Sequence, residues 1–367
     1  MRVVFPLHSF KFNSGIGRIT WGLAKGLQEK GVKVTIATVH FDGDATVLEL
    51  LRKNNIEITY ERTGEANIPL HRTHQVINPY VPVYAWRLKE LLRGIDADFY
   101  IFQNEEALPL ARDNEFKDRF IFYHLGLWSG MALVPRMFRS FPPHIKLGRI
   151  ITLPGHFIYA KILQSVPHVI AVSNYTSMTS SLLYGRLADE VIYPPVDTNI
   201  FRPSKEKGKN NEAEPYALFI GGVETNNVRL LDEIAKRIPL VTVGGIKVKN
   251  AKNFEFVKLP KLVDLYSRAT VTLFPLFNEP YGYIPVESMA CGTPVIAYND
   301  GGPSETVLDG RTGWLVRNER EFFRKIIEVF KTGVSDDMRS MCREHVVKNF
   351  SIETASLKLY HFLKKIA

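Results

Sequence analysis

Two glutamates flank a glycine that lies between two tyrosines in the stretch EPYGYIPVE (279–287). Glu279 follows an apolar run, VTLFPLF (271–277), and Glu287 falls where a helix of small residues is expected to have begun. The spacing predicts one carboxylate in a strand-to-helix loop and the other in the first turns of that helix. Because carboxylates only accept hydrogen bonds, each can hold two hydroxyl groups of a ligand.

A glycine loop and a histidine in the first half of the chain are further candidates. NSGIGR (13–18) follows the first predicted strand and would place backbone N–H groups at a helix amino terminus, where a phosphate is favoured. GIG lacks the third glycine of the dinucleotide fingerprint, so a tight strand-to-helix turn is the alternative. His124 ends an apolar run at the carboxyl edge where open α/β sheets bind ligands, although a hydrogen-bonded structural histidine is the alternative.

Short apolar strands that alternate with helical segments must position these residues. In the first half, strands are predicted at Arg2–Pro6, Val32–Val39, Phe99–Phe102, Phe120–Tyr123 and Val169–Ala171. A segment rich in Pro, Lys, Glu and Asn (194–215) is predicted to be a linker. After it, strands are predicted at 217–222, 240–245, 254–257, 271–277, 294–298 and 313–316. The pattern predicts an α/β protein with two Rossmann-like, doubly wound parallel sheets.

Composition excludes several classes of protein. The chain has 367 residues, 45% hydrophobic and 23% charged, which indicates two globular domains and argues against wholesale disorder. The excess of 47 basic over 38 acidic residues favours anionic partners. Two cysteines match no metal spacing and favour a reducing compartment. MRVVFPL is too short an apolar run for a signal peptide, and no apolar stretch is long enough for a transmembrane helix.

The segment FPLFNEPYGYIPVESMACGTPVIAYNDGGPSETVLDGRTGWLV resembles the donor-site signature of the retaining, GT-B-fold glycosyltransferases of family 4. The stretches VIAVSNYTSMTSS (169–181), VIYPPVDTNIFRP (191–203) and the terminal NFSIETASLKLYHFL resemble other parts of the same family. The resemblance implies two domains that face a central cleft. It places an acceptor-side domain at 1–198 plus 347–367 and a donor domain at 199–346. The terminal helix, with Leu357, Leu359, Phe362 and Leu363 as its apolar face, would return to the first domain.

The same resemblance assigns roles to individual residues. Glu279 would hold hydroxyls of the donor sugar as a catalytic group, with His124 near the reacting carbon, and Glu287 would hold the ribose diol. The other donor-binding residues implied are Gly15, Gly17, Arg18, Gly222, Arg229, Gly282, Tyr283 and Ile284. No metal and no cofactor are expected, because helix termini and cationic side chains can neutralise the leaving diphosphate of a UDP- or GDP-linked sugar.

One departure from the family pattern concerns charge. Where the family has an Arg after Gly and a Lys five positions further on, this chain has Gly222 and Asn227. These cations stabilise the charge that develops on the leaving diphosphate. Arg229, Lys247, Lys249 and Arg18 are possible replacements, and the sequence does not choose among them.

A basic segment extends over 119–186. Between Asp118 and Asp189 there is no acidic residue, while Arg and Lys are interleaved with aromatic residues and methionines. Basic side chains beside apolar ones are what docking on an anionic membrane surface requires, since each cation contributes about 1 kcal/mol there. A solvated rim around an aromatic core is the alternative. No nucleic-acid module surrounds the segment, so nucleic acid is not an expected partner. The expected location is cytoplasmic, with peripheral association at the inner membrane face.

The resemblance therefore implies a retaining hexosyltransferase that takes mannose or glucose from a nucleotide diphosphate sugar. The acceptor would be a hydroxyl of a glycan or of a lipid-linked oligosaccharide, as in glycan biosynthesis. Because this chain lacks the two family cations, a second hypothesis stays open, namely a catalytically impaired nucleotide-sugar-binding protein of the same fold. A nucleotide-sugar epimerase, which should work without an acceptor, is less favoured. So is a phosphorylase, because no motif for a pyridoxal-bearing lysine is present. The sequence does not identify the base, the sugar, the acceptor or the oligomeric state.

Overall fold

The computed structural model describes residues 1–12, 14–64, 81–126, 153–204, 214–221 and 228–367, without the side chains of 81 and 153–156. The chain divides into two compact units. Unit 1 contains Met1–Pro195 and Ile352–Ala367, and unit 2 contains Val196–Ser351. Each unit has its own parallel sheet.

Seven parallel strands form the sheet of unit 1, in the spatial order β3-β2-β1-β4-β5-β6-β7. In chain order they are β1 (Arg2–Lys11), β2 (Lys33–Asp42), β3 (Glu57–Thr63), β4 (Phe99–Phe102), β5 (Phe120–His124), β6 (His168–Ala171) and β7 (Glu190–Val191). The strand order reverses between β1 and β4, so the switch point of this sheet lies at their carboxyl ends.

Helices connect these strands. They are α1 (Gly15–Gln28), α2 (Ala45–Lys53), α3 (Val81–Leu92), a 3-10 helix (Glu105–Arg112), α4 (Leu153–Ser165) and α5 (Asn174–Tyr184). One core of this unit lies where Phe102, Phe120 and Phe122 pack against α3, the 3-10 helix and α4. The aromatic strand residues that predicted buried strands therefore fill one face of the sheet.

Unit 2 has six parallel strands in the order β10-β9-β8-β11-β12-β13. They are β8 (Ala217–Ile220), β9 (Leu240–Val243), β10 (Lys252–Phe254), β11 (Val271–Phe274), β12 (Val295–Tyr298) and β13 (Gly313–Val316). Its helices are α6 (Val228–Ala235), α7 (Leu259–Arg268), α8 (Tyr283–Ala290), α9 (Pro303–Thr306), α10 (Glu319–Thr332) and α11 (Asp336–Phe350). The switch point here lies between β8 and β11.

The last helix, α12 (Ile352–Ile366), belongs to unit 1 and packs on α1. Gly26 makes this close packing possible, and Gly22 lets Pro195 approach the same helix. A Cβ at Gly22 would lie 2.6 Å from Pro195 Cγ, and a Cβ at Gly26 would lie 2.3 Å from Ser356 Oγ. One member of the predicted apolar face was wrong, because Leu357 is 43% exposed.

The predicted pair of doubly wound sheets is confirmed, with differences at the strand ends. β1 and β2 extend several residues beyond their predicted ends. β3 and β7 were not predicted, since both present mainly exposed or half-buried side chains and so carry no apolar run. None of the described helices is long and apolar enough to cross a bilayer.

Candidate functional site

The glycine loop after β1 is held by a serine cap. Ser14 Oγ accepts the N–H of Gly17 at 2.9 Å and donates to the carbonyl of Lys11 at 2.7 Å. A Cβ at Gly17 would lie 1.9 Å from that carbonyl, so Gly17 is required for packing. Gly15 is exposed, and a Cβ there would meet nothing within 4 Å, which leaves its backbone accessible to a ligand. Arg18, half-buried in the first turn, donates its N–H to Ser14.

His124 is the last residue of β5 and is 1% exposed. Neither ring nitrogen has a hydrogen-bond partner in the part of the chain that the structure describes. Burial lowers the pKa of His124 to about 4, because a charged imidazolium would lose its hydration. The imidazole is therefore neutral at pH 7, with one nitrogen that can donate and one that can accept.

The sheet separates the glycine loop from His124. β4 lies between β1 and β5, so the residues that follow β4 lie between the glycine loop and His124 in the order of the sheet. Those side chains are Gln103, Asn104 and Glu105, which sequence reasoning missed. The available signal was a run of three polar residues directly after the buried strand FYIF.

In unit 2, the loop that carries Glu279 follows β11 at the switch point. Two hydrogen bonds tie it to the loop after β12. Asn278, whose φ is 57°, donates its N–H to Asp300 Oδ2 at 2.5 Å, and Gly302 donates its N–H to the carbonyl of Glu279 at 2.8 Å. Asn278 and the backbone of Glu279 are thereby fixed from the loop that follows a neighbouring strand.

The paired glycines allow these two loops to touch. A Cβ at Gly301 would lie 2.4 Å from the carbonyl oxygen of Glu279, and a Cβ at Gly302 would lie 2.4 Å from Tyr281 Cα. Both contacts are with backbone atoms, which cannot move aside as the end of a side chain can. The Gly-Gly that follows EPYGYIPVE in the sequence therefore packs against it in space.

The carboxylate of Glu279 turns back onto its own loop. It accepts the N–H groups of Gly282 and Tyr281. Burial raises the pKa of Glu279, while these two hydrogen bonds act in the opposite direction, and burial prevails. Gly282 has a φ of 84°, a left-handed conformation that glycine adopts without strain. Its N–H is thus engaged by Glu279 in this structure.

Glu287 lies inside unit 2, in the second turn of α8, and is 3% exposed. Its Oε2 accepts a hydrogen bond from the hydroxyl of Tyr266 at 3.1 Å. Tyr283 and Ile284 are the first residues of α8 and are half-buried. Five of the predicted site residues, Glu279, Gly282, Tyr283, Ile284 and Glu287, therefore lie on one continuous loop and helix.

Polar contacts hold α8 against the sheet. Ser288 Oγ is hydrogen-bonded to Thr272 Oγ1 at 2.7 Å and to the carbonyl of Thr293 at 2.8 Å. At the end of α8, Arg343 donates to the carbonyls of Ala290 and Phe201 at 3.0 and 2.6 Å. A guanidinium at this end satisfies helix carbonyls and complements the helix dipole.

The possible replacement cations of unit 2 are exposed. Arg229 lies in the first turn of α6, and Lys247 and Lys249 follow β9. Gly222 and Asn227 lie outside the described residues. The replacement for the family cations therefore stays a prediction. No group of three His, Cys, Asp or Glu residues in the described ranges is placed to hold a metal ion.

Two family models match this chain. The model for Glycosyltransferase Family 4 matches residues 13–200, and the model for Glycosyl transferases group 1 matches residues 246–348. The first match alone covers half of the chain. The chain belongs to glycosyltransferase family 4. The predicted resemblance is thereby confirmed, and the second match contains the Glu279 loop, α8 and the paired glycines.

Curated relatives match over parts of their length. A D-inositol 3-phosphate glycosyltransferase of Paenarthrobacter aurescens is 47% identical over 166 residues, which cover 36% of this chain and 41% of that protein. An alpha-1,3/1,6-mannosyltransferase of Schizosaccharomyces pombe is 33% identical over 176 residues, which cover 43% of this chain and 35% of that protein. The chain thus spans under half the length of these relatives.

Solved structures match over the whole chain. Sucrose-phosphate synthase from Thermosynechococcus elongatus has a TM-score of 0.76 at 17% identity and covers 100% of this chain and 98% of its own. Anabaena HepE in complex with UDP-glucose has a TM-score of 0.67 at 17% identity and covers 100% of both chains. At these identities the likeness shows the fold, which is the GT-B arrangement of two Rossmann-like domains.

Proposed function

We propose that this protein transfers a hexose, with mannose or glucose favoured, from a UDP- or GDP-linked sugar to an acceptor hydroxyl, with retention of configuration. The observation that carries the proposal is the Glu279 loop. It lies at the switch point of the unit 2 sheet, is fixed by the paired glycines and leads directly into α8. A strand-to-helix loop at this place is where open parallel sheets bind nucleotides.

The donor is proposed to bind along this loop and helix. Glu279 would accept hydroxyls of the hexose, and Glu287 would accept a ribose hydroxyl beside its bond from Tyr266. Tyr283 and Ile284 would offer N–H groups of the first turn of α8 to the diphosphate. The raised pKa of Glu279 fits a carboxyl group that a bound polyol completes, because hydroxyl donors would stabilise its charged form.

The chemical step is proposed to need no covalent nucleophile. The departing phosphate would take the acceptor proton, and the site would contribute orientation and stabilisation of charge. His124, neutral because of its burial, would hydrogen-bond a hydroxyl of the donor sugar without adding charge. Gly15 would let the diphosphate approach the backbone of the glycine loop.

Acceptor and location are also proposals. The acceptor would be a glycan or a lipid-linked oligosaccharide, reached at an anionic membrane surface from the cytoplasmic side. Exposed apolar side chains on α4 and α5 support this, since Phe157 is 69% and Leu182 is 84% exposed. Lys161 and Arg186 lie on or beside the same two helices. Residues 127–152 of the basic segment predicted to dock lie outside the described residues.

The test is a panel of UDP-, GDP- and ADP-hexoses, each offered with lipid-phosphate and oligosaccharide acceptors and followed by release of nucleotide diphosphate. One donor should be consumed, and Glu279→Gln should lower kcat/KM at least 100-fold. Glu255→Gln, which changes an exposed carboxylate in the same unit, should not lower it. The rate should persist in EDTA, and loss of the rate would refute the proposed metal independence.

A second candidate function is supported by the sequence at Gly222 and Asn227. A nucleotide-sugar-binding protein without turnover would bind one donor and release no nucleotide diphosphate with any acceptor. Binding that depends on Glu279 without any turnover would establish this alternative.

A further inference from the structure

Three consecutive side chains after β4 each carry an oxygen that is buried and lacks a hydrogen-bond partner among the described residues. These atoms are Gln103 Oε1, Asn104 Oδ1 and Glu105 Oε2. Buried polar atoms in folded proteins are nearly always paired, so three orphans in a row call for an explanation. Because the two amide oxygens can only accept, a ligand that satisfies them must present hydrogen-bond donors.

Gln103 is held in one orientation. It is 3% exposed, and its Nε2 donates to Thr20 Oγ1 at 3.0 Å. The hydroxyl of Thr20 donates in turn to the carbonyl of Ile16 at 2.9 Å, so Thr20 can only accept from Gln103. The amide nitrogen must therefore face Thr20, and Oε1 is the atom left without a partner.

The carboxyl group of Glu105 is in a buried environment that favours its neutral form. Tyr159, on α4, places its hydroxyl 3.4 Å from Glu105 Oε1. Burial, followed by the neighbouring charge of Glu106, raises the pKa of Glu105 to about 8. The carboxyl is thus mostly protonated at pH 7 and adds no net charge to its surroundings.

The position of these residues links them to the site. β4 lies beside β1 at the switch point of unit 1 and beside β5, the strand that ends at His124. Parallel strands bring their carboxyl ends to the same edge of the sheet, where ligands bind. Asn104 has an extended backbone and makes no side-chain cap to the 3-10 helix that follows, so its amide is not engaged in helix capping.

We propose that Gln103, Asn104 and Glu105 form a subsite for the hydroxyl groups of a neutral, polyhydroxylated acceptor. The subsite rests on the proposed function, since it names the acceptor class for that reaction. Sugar hydroxyls donate to Gln103 Oε1 and Asn104 Oδ1, and the protonated Oε2 of Glu105, whose Oε1 already accepts from Tyr159, donates to a hydroxyl oxygen of the sugar. A phosphate group offers mainly acceptor oxygens to the two amide oxygens, so the subsite disfavours anionic acceptors.

The test separates the subsite from the transfer reaction. Binding of methyl α-D-mannopyranoside and of mannose 6-phosphate is measured by saturation-transfer NMR, without any nucleotide sugar. The neutral mannoside should bind at least fivefold more tightly than the phosphate. Gln103→Leu and Glu105→Leu should each weaken mannoside binding about tenfold, whereas Glu105→Gln, which stays neutral and polar, should remain within twofold of the unmodified protein.

Gln28→Leu is the matched control. Gln28 ends α1, and its Oε1 is another buried oxygen without a partner among the described residues. Equal loss of mannoside binding in Gln28→Leu and Gln103→Leu would overturn the proposal, as would tighter binding of the phosphate. Mannoside binding that depends on Gln103 without turnover of any nucleotide sugar would retain the subsite and refute the proposed transfer. Turnover of a neutral acceptor that is unaffected by Gln103→Leu would retain the transfer and refute the subsite.

Discussion

Replacing Glu105 with glutamine should stabilise unit 1 in a way that depends on pH. Below pH 4.5, its ordinary pKa, the carboxyl is protonated in both the folded and the unfolded chain. Between there and the raised pKa of about 8, only the unfolded chain ionises, so the folded state loses stability as the pH rises. Each pH unit costs about 1.4 kcal/mol, which amounts to about 3 kcal/mol at pH 7.

Urea unfolding curves at pH 5, 6, 7 and 7.5 measure this effect. Tryptophan fluorescence is recorded in a Trp314→Phe background, because Trp314 lies in unit 2 whereas Trp21 and Trp86 lie in unit 1. The free energy of unfolding of Glu105→Gln should exceed that of the unmodified protein by a margin that widens with pH up to about 8. Glu49→Gln, an exposed glutamate of α2, should show a constant difference.

An equal difference between Glu105→Gln and the unmodified protein at pH 5 and pH 7.5 would refute the reasoning. It would mean that water reaches Glu105 in the folded protein, and that the carboxyl is already charged at neutral pH. The gain in stability of Glu105→Gln fits a functional role of Glu105, because a binding site is commonly less stable without its ligand than with it.

Three further predictions concern the rest of the site. Gly302→Ala should destabilise unit 2 by about 1–3 kcal/mol, because the new methyl group meets the backbone of Tyr281; urea unfolding measures this, and an unchanged midpoint would contradict the contact. Ser288→Ala should cost about 1–3 kcal/mol by leaving buried acceptors such as Thr272 short of a partner, and a cost below about 0.5 kcal/mol would argue against the network. His124 should titrate near pH 4 by NMR, so that stability falls as the pH drops from 6.5 toward 4; titration near 6.5 would show that the ring is hydrated.

Much of the fold could be predicted from the sequence because buried strands are apolar and helices start at recognisable caps. The strand ends were less predictable. β1 continues through His8 to Lys11, past a proline and several polar residues that sequence alone does not assign to a strand. β3 reads EITYERT and is largely exposed, so no apolar signal marks it.

The candidate site was likewise predictable only in part from the sequence. The Glu279 loop was predictable from spacing, because its glycine, its prolines and the following helix lie close together in the sequence. The need for a glycine at position 302 was not predictable, since the contact of Gly302 with Tyr281 joins two loops that only the sheet brings together. Gln103 is the clearest omission. Gln103 matters because its Oε1 has no hydrogen-bond partner among the described residues, and neither burial nor hydrogen bonding can be predicted from residue type.

The packing of α12 on α1 has a consequence for the order of events during synthesis. The groove at Gly26 is filled by Ile352 and Ser356, and these residues leave the ribosome only after all of Val196–Ser351. Unit 1 therefore begins first and is completed last, with apolar surface on α1 uncovered in the interval. A nascent chain stalled before Ile352 should be a better chaperone substrate than one released at Ala367.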